Sequence, residues 1–185
     1  MLFLLTFLNG CTLYRDEMAN RQIILKAAET RNLSLCDTLL KPGSFNYRPN
    51  SFYYTDSSPW LDCKTVVAIA TKNVSICDDI KFYLCYFTLA KELDDVELCD
   101  KITEYHSYRS LCFSYFAEKN KDPTICKRVG KNVFGEDISY FCYTNVAIAK
   151  EDPSICENLK LLKEKEFCYS QLADAEKGTA PSHLS

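Results

Sequence analysis

The sequence predicts an all-α fold, a short solenoid of helical hairpins joined by disulfides. Three observations predict it. A motif of cysteine, aromatic, apolar residue and alanine starts at Cys63, Cys85, Cys112 and Cys142, and a second cysteine follows each time fourteen positions later. The chain carries eleven cysteines, the closest two of which are Cys77 and Cys85. Glycine is scarce, five in 185 residues, and strand-like alternation is lacking.

The chain opens on Leu2–Leu8, an apolar run of seven residues. Such a run is too short to span a bilayer but long enough for the apolar segment of a signal peptide. Leu8-Asn9-Gly10-Cys11 follows at once and resembles the lipobox of prokaryotic lipoproteins, with Leu at −3, a small residue at −1 and the cysteine. That resemblance implies cleavage before Cys11, lipidation of the Cys11 thiol and a tether to the membrane. No Lys or Arg precedes the apolar run, which points to a start upstream of Met1. The alternatives are an ordinary signal peptide, or a buried apolar N-terminus with Cys11 as a structural thiol.

Residues 11–40 then form the tether and a degenerate first hairpin, in which Gln22 stands at the first cysteine position, followed by Ala27, Asn32 and Cys36. Residues 61–177 hold the stapled repeats. In each copy the offsets 0, +1, +4 and +5 from the first cysteine fall within about 140° of a helix. They carry cysteine, an aromatic (Lys64 is the exception), an apolar residue and always alanine: Ala68, Ala90, Ala117, Ala147 and Ala173. An unvarying small residue on a buried stripe predicts close helix–helix approach.

Four residues before each second cysteine stands Asn32, Asn73, Asp95, Asp122 or Asp152. Such side chains accept the orphan N–H bonds of a helix start and are predicted N-caps. Pro123 and Pro153 follow two of them, where proline suits a first helical turn. Leu or Ile at N3 and an aliphatic residue at N7 give the second helix an apolar face. The sequons Asn32-Leu33-Ser34 and Asn73-Val74-Ser75 fall on these caps, and capping accounts for both without glycans. The acidic pairs Asp78-Asp79 and Asp94-Asp95 are expected at helix starts, where the dipole favours them.

Setting Cys11 aside leaves ten cysteines. Pairing within each repeat would strand Cys36 and Cys168, whereas pairing across each joint uses all ten. The across-joint set is Cys36–Cys63, Cys77–Cys85, Cys99–Cys112, Cys126–Cys142 and Cys156–Cys168. Geometry favours it. Within a repeat the two cysteines would be offset by about 6 Å along the helix axes, whereas a disulfide needs Cα atoms within about 7 Å. Short helices are marginal alone, so the staples stand in for a large shared core.

The repeat resembles tetratricopeptide-type helical hairpins, particularly the cysteine-bridged repeats of secreted bacterial proteins, over about residues 15–176. Its spacing between units varies (22, 27, 30 and 26 residues) and the signature glycines are absent. The resemblance implies a ligand-binding or scaffolding surface and carries over no catalytic residue. The Asp-Pro-Ser-Ile-Cys style of repeat also resembles exported prokaryotic proteins without assigned function.

Residues 41–60 interrupt the array as an aromatic, proline-rich loop with six aromatics, three prolines and the single tryptophan. Phe45, Tyr47, Phe52, Tyr53, Tyr54 and Trp60 form a candidate binding set, because Tyr and Trp supply contact area at low entropy cost. The alternative is an Ω-loop folded over the first hairpin. Ser58-Pro59-Trp60 has the form of an N-cap and first turn. Residues 178–185 form a polar tail predicted to be disordered.

These features bound the function. A net charge of −3 without a basic run argues against nucleic acid. Neither His106 nor His183 has cysteines at metal-finger spacing, and no C-x-x-C or phosphate-binding glycine loop occurs, so no metal or cofactor is expected. The expectation is a non-catalytic binding or scaffold module outside the cytoplasm, held at the cell membrane through Cys11 or secreted if Cys11 is not lipidated, with a protein or glycan partner. The alternatives are a self-associating structural component of the envelope and a small hydrolase or inhibitor.

Overall fold

The computed structural model describes residues 3–41, 58–103, 106–132 and 134–177, with side chains described from Glu17 onward. The chain forms two compact units, Met1–Leu93 and Asp94–Ser185, a division that falls inside the repeats. Unit 1 contains α1 (Phe3–Thr30), the 3-10 helix η1 (Leu33–Thr38), α2 (Pro59–Thr71), α3 (Val74–Ile80) and α4 (Tyr83–Leu93). Unit 2 contains η2 (Val96–Lys101), α5 (His106–Lys119), η3 (Ile125–Arg128), α6 (Ser139–Lys150), η4 (Pro153–Asn158) and α7 (Leu162–Glu176). The fold is all-α: extended pairing among the described residues is one isolated bridge, Lys131–Asp137.

Along the sequence each repeat runs from a long first helix to a short second element. The second element is a 3-10 helix in four copies and α-helical only in α3. It falls short of a full α-helix because four to six residues close too few i→i−4 bonds to stabilise one, and a 3-10 turn suits such short pieces. Within unit 1, α1 packs on η1 and α2, and α2 on α3 and α4. Within unit 2, α5 packs on η2, η3 and α6, while α6 packs on η4 and α7.

The core follows the repeat. Ala27, Ala68, Ala90, Ala117 and Ala147 are fully buried, as are Val67, Leu89, Phe116 and Val146 one residue before them in the later copies. Ile76, Leu98 and Ile155 on the second elements are buried, as are Leu39, Ile102, Val129 and Leu159 at their ends.

The turn inside each hairpin explains where the cap residues stand. The N–H groups of Asn32, Asn73, Asp122 and Asp152 donate to the carbonyls of Ala27, Ala68, Ala117 and Ala147 at 2.9–3.0 Å. The residue before each cap adopts the left-handed conformation: Arg31, Lys72, Lys121 and Glu151, and likewise Asp94 before Asp95. This is the Schellman closure of a helix C-terminus. One residue therefore ends one helix through its backbone and starts the next through its side chain. Asn32, Asn73, Asp95, Asp122 and Asp152 each accept from the N–H two residues on at 2.9–3.1 Å. Ser34, Ser75, Thr124 and Ser154 add their hydroxyls to the same oxygen, so the sequon serines serve as cap partners.

The joints between hairpins carry the disulfides. Cys36–Cys63, Cys77–Cys85, Cys99–Cys112, Cys126–Cys142 and Cys156–Cys168 are bonded, with Cα–Cα distances of 5.5–5.8 Å. All ten sulfurs belong to fully buried residues.

Candidate functional site

Beside four of the five disulfides lies a polar contact built from the same two elements. The residue following the second-helix cysteine reaches across the joint to positions −3 and +1 of the first helix, which lie one turn apart on one face. At the first joint Asp37 accepts from Trp60 Nε1 at 3.3 Å and pairs with Lys64 at 3.8 Å. At the second, Tyr86 Oη donates to Asp78 at 3.0 Å. Burial, then this bond and the Asp78 charge, push the Tyr86 phenol up to about 12. At the last joint Lys165 and Tyr169 both donate to Glu157 at 2.5 Å, holding its carboxyl below the usual range. Asp78 therefore sits at the far end of α3, not at a helix start, and its task is this cross-joint bond.

The third joint carries the densest version. Phe113, fully buried, occupies the +1 position and offers no donor. Asp100 instead takes Arg109 Nη2 at 2.7 Å and also pairs with Arg128, whose guanidinium holds Glu97 at 2.8 Å through both nitrogens. Both guanidiniums stack on the Phe113 ring, at 4.8 and 4.7 Å from its centroid. Arg128 lowers the Glu97 carboxyl through its hydrogen bond and charge. Burial pushes the Asp100 carboxyl up, but the hydrogen bonds and charges of Arg128 and Arg109 outweigh it, leaving it below its ordinary value.

The fourth joint departs from the rule, with Lys127 after its cysteine. Its longer connection is folded on Asn132, whose Oδ1 accepts from the N–H groups of Phe134 (2.9 Å) and Glu136 (3.0 Å). Asn132 Nδ2 donates to Glu136 at 2.8 Å, and Gly135, at φ +79°, turns the chain in the left-handed region that favours glycine. The clamp holds Phe134 outward, 84% exposed.

Further exposed apolar groups follow on α6 and α7. Tyr140 and Phe141 in the first turn of α6 stack at 4.0 Å between centroids, and the Phe167 ring of α7 meets them edge-on at 5.7 and 5.9 Å. Leu161 and Leu162, at the start of α7, are 49% and 72% exposed, and Phe141 is 50% exposed. Asp137 feels the charges of both Lys131 and Lys160, and Tyr140 those of Glu136 and Glu164, so the loop and the two helix starts converge. Clusters of exposed large apolar side chains mark interaction sites more often than isolated ones do.

Of the aromatic set in residues 41–60, Phe45, Tyr47, Phe52, Tyr53 and Tyr54 lie outside the described residues. Trp60 lies in the first turn of α2 behind Pro59, with Ser58 Oγ accepting from Leu61 N–H as the N-cap. Its half-buried indole stacks under Lys64 at 4.5 Å and Lys41 at 5.6 Å. Cys11 lies along the backbone of α1. Among the described residues no group of three His, Cys, Asp or Glu side chains forms a metal site, and no helix is long and apolar enough to cross a membrane. The tail 178–185 lies outside the described residues.

Comparison with protein-family models, curated proteins and solved structures finds no match to this chain. Five buried disulfides are the mark of an oxidising, extracytoplasmic environment.

Proposed function

We propose that the protein is a non-catalytic binding module of the cell surface, tethered by a lipid on Cys11, that engages a protein partner through the apolar edge around Phe134. The observation that carries this reading is the outward presentation of Phe134, Phe141, Leu161 and Leu162 on a disulfide-stiffened frame. Leaving such groups in water costs solvation free energy on the order of 1.5–3 kcal/mol for each side chain. The Asn132 clamp keeps Phe134 exposed at the loop tip, so little ordering entropy remains to oppose binding. The tether supports the same reading by holding the module where a surface partner is concentrated.

The test combines two measurements on the chain isolated from its native envelope. Intact mass is expected to show Cys11 as the first residue, carrying acyl chains. Chemical crosslinking in place is expected to recover a partner that Phe134→Ser/Leu162→Ser loses, with all five disulfides retained. Unchanged crosslinking in that variant would remove the edge from the reading, and an unacylated Cys11 would remove the tether.

A further inference from the structure

We propose that the carboxylate immediately after the second-helix cysteine guides disulfide pairing: it holds the two elements of its own joint in register before the sulfurs are joined. The geometry recurs at four of the five joints. Asp37, Asp78, Asp100 and Glu157 each meet a donor at position −3 or +1 of the first helix, the positions flanking its cysteine. Each carboxylate is bonded in sequence to one cysteine of the pair, and its donors lie three residues before or one after the other. When the lock closes, the two thiols are therefore neighbours already, and the Cα atoms stand within the 5.5–5.8 Å that the finished bridges show.

The need for such a guide follows from the repeat. Ten cysteines in near-identical surroundings present many wrong partners. The hydrophobic stripe, Cys-aromatic-apolar-Ala, recurs with Lys64 as its one departure at the aromatic position, and does little to distinguish one joint from another. The locks do: an acid with Lys and Trp at the first joint, an acid with Tyr at the second, Asp100 with arginine at the third, a Lys127 joint without the acid at the fourth, and Glu157 with Lys and Tyr at the last. Both partners of a lock are available in the reduced chain, because neither requires an oxidised sulfur.

The oxidation itself needs a small-molecule disulfide, here glutathione disulfide. One cysteine thiolate attacks it, forming a mixed disulfide and releasing one glutathione thiolate. The second thiolate then attacks the protein sulfur of that mixed disulfide and releases the other glutathione. The two cysteines lose two electrons to the oxidant, and their two protons end on two glutathione thiols. The lock takes no part in bond making. It raises the fraction of chains in which the second thiolate lies within reach, so its effect falls on the intramolecular step.

The test uses the full chain, reduced and denatured, then refolded in a glutathione disulfide/glutathione buffer. Samples are alkylated at intervals and mapped by non-reducing digestion. Glu157→Ala removes both donors' acceptor at the last joint. It is expected to slow Cys156–Cys168 formation about two- to fivefold relative to Cys77–Cys85 in the same chain, the size an exposed polar pair supports. Lys127→Glu places an acid opposite Tyr143, which is buried like Tyr86, and is expected to hasten Cys126–Cys142 by a similar factor. An unchanged ratio of the two rates in Glu157→Ala would overturn the proposal. So would a uniform slowing of all five bridges, because a guide acts only at its own joint while a loss of general stability acts everywhere.

Discussion

Removing one disulfide from each joint of unit 1 separates the loop-closure contribution from local packing. Cys36–Cys63 and Cys77–Cys85 both lie in this unit and both pairs are fully buried, but they span 27 and 8 residues of sequence. Replacing either pair by alanines removes two sulfurs from a dry site, so the cavity contribution is similar and largely cancels in the difference. The chain-entropy contribution does not cancel: it is about 3.6 kcal/mol for the longer loop and about 2.6 kcal/mol for the shorter. The double variant Cys36→Ala/Cys63→Ala is therefore expected to be less stable than Cys77→Ala/Cys85→Ala by about 1 kcal/mol. Urea unfolding followed by the fluorescence of Trp60, the single tryptophan, reports on unit 1 alone. A gap of that size moves the midpoint by about 0.5–1 M. Equal midpoints, or a lower one for the short loop, would refute the view that these bridges act by restricting the unfolded chain.

Three further outcomes follow from particular contacts. Glu97 and Asp100 have folded carboxyls below their unfolded values, so the stability they lend unit 2 is present above about pH 4 and is lost as pH falls through the folded values; acid titration of the urea midpoint should show that loss, and Arg128→Ala should remove much of it. Lys72 holds φ +54° at a hairpin turn, so Lys72→Val is expected to cost about 1–2 kcal/mol in thermal unfolding and Lys72→Gly to cost nothing or stabilise slightly. Asp152 accepts from both the N–H and the hydroxyl of Ser154, and Asp152→Ala should lower the midpoint of chemical denaturation, with Asp152→Asn recovering most of the loss.

The helices and their caps were legible because they rest on local rules. A residue type that accepts N–H bonds, followed three and seven residues later by apolar side chains, marks a helix start whatever surrounds it, and Asn73 and Asp152 act as that rule requires. The unvarying alanine was visible as a packing position, but the place of Ala27, Ala68, Ala117 and Ala147 at the closing bond of their hairpin turns was not. That turn uses Arg31, Lys72, Asp94, Lys121 and Glu151 in the left-handed region where glycine is the usual signal, and a charged side chain there leaves no trace in a pattern search. The 3-10 character of four of the second elements was missed because periodicity over four to six residues does not separate it from an α-turn.

The cross-joint locks were missed although a signal existed, an acid directly after the second cysteine in four copies. Their donors lie in the next repeat, so the contact appears only once the two elements are placed side by side. The apolar edge was hidden for a different reason. Phe141 and Leu162 look like core residues in sequence, and only the direction of their helices shows that they point outward. Attention to the aromatic loop 41–60 reached Trp60, whose indole turned out to brace the first joint through Asp37.

Non-reducing peptide mapping of the exported protein measures most directly whether covalent bonds clamp one hairpin to the next. Fragments joined as Cys36–Cys63, Cys77–Cys85, Cys99–Cys112, Cys126–Cys142 and Cys156–Cys168 are expected. Fragments joined at the constant separation of fourteen residues, or ten alkylatable thiols, would contradict the account.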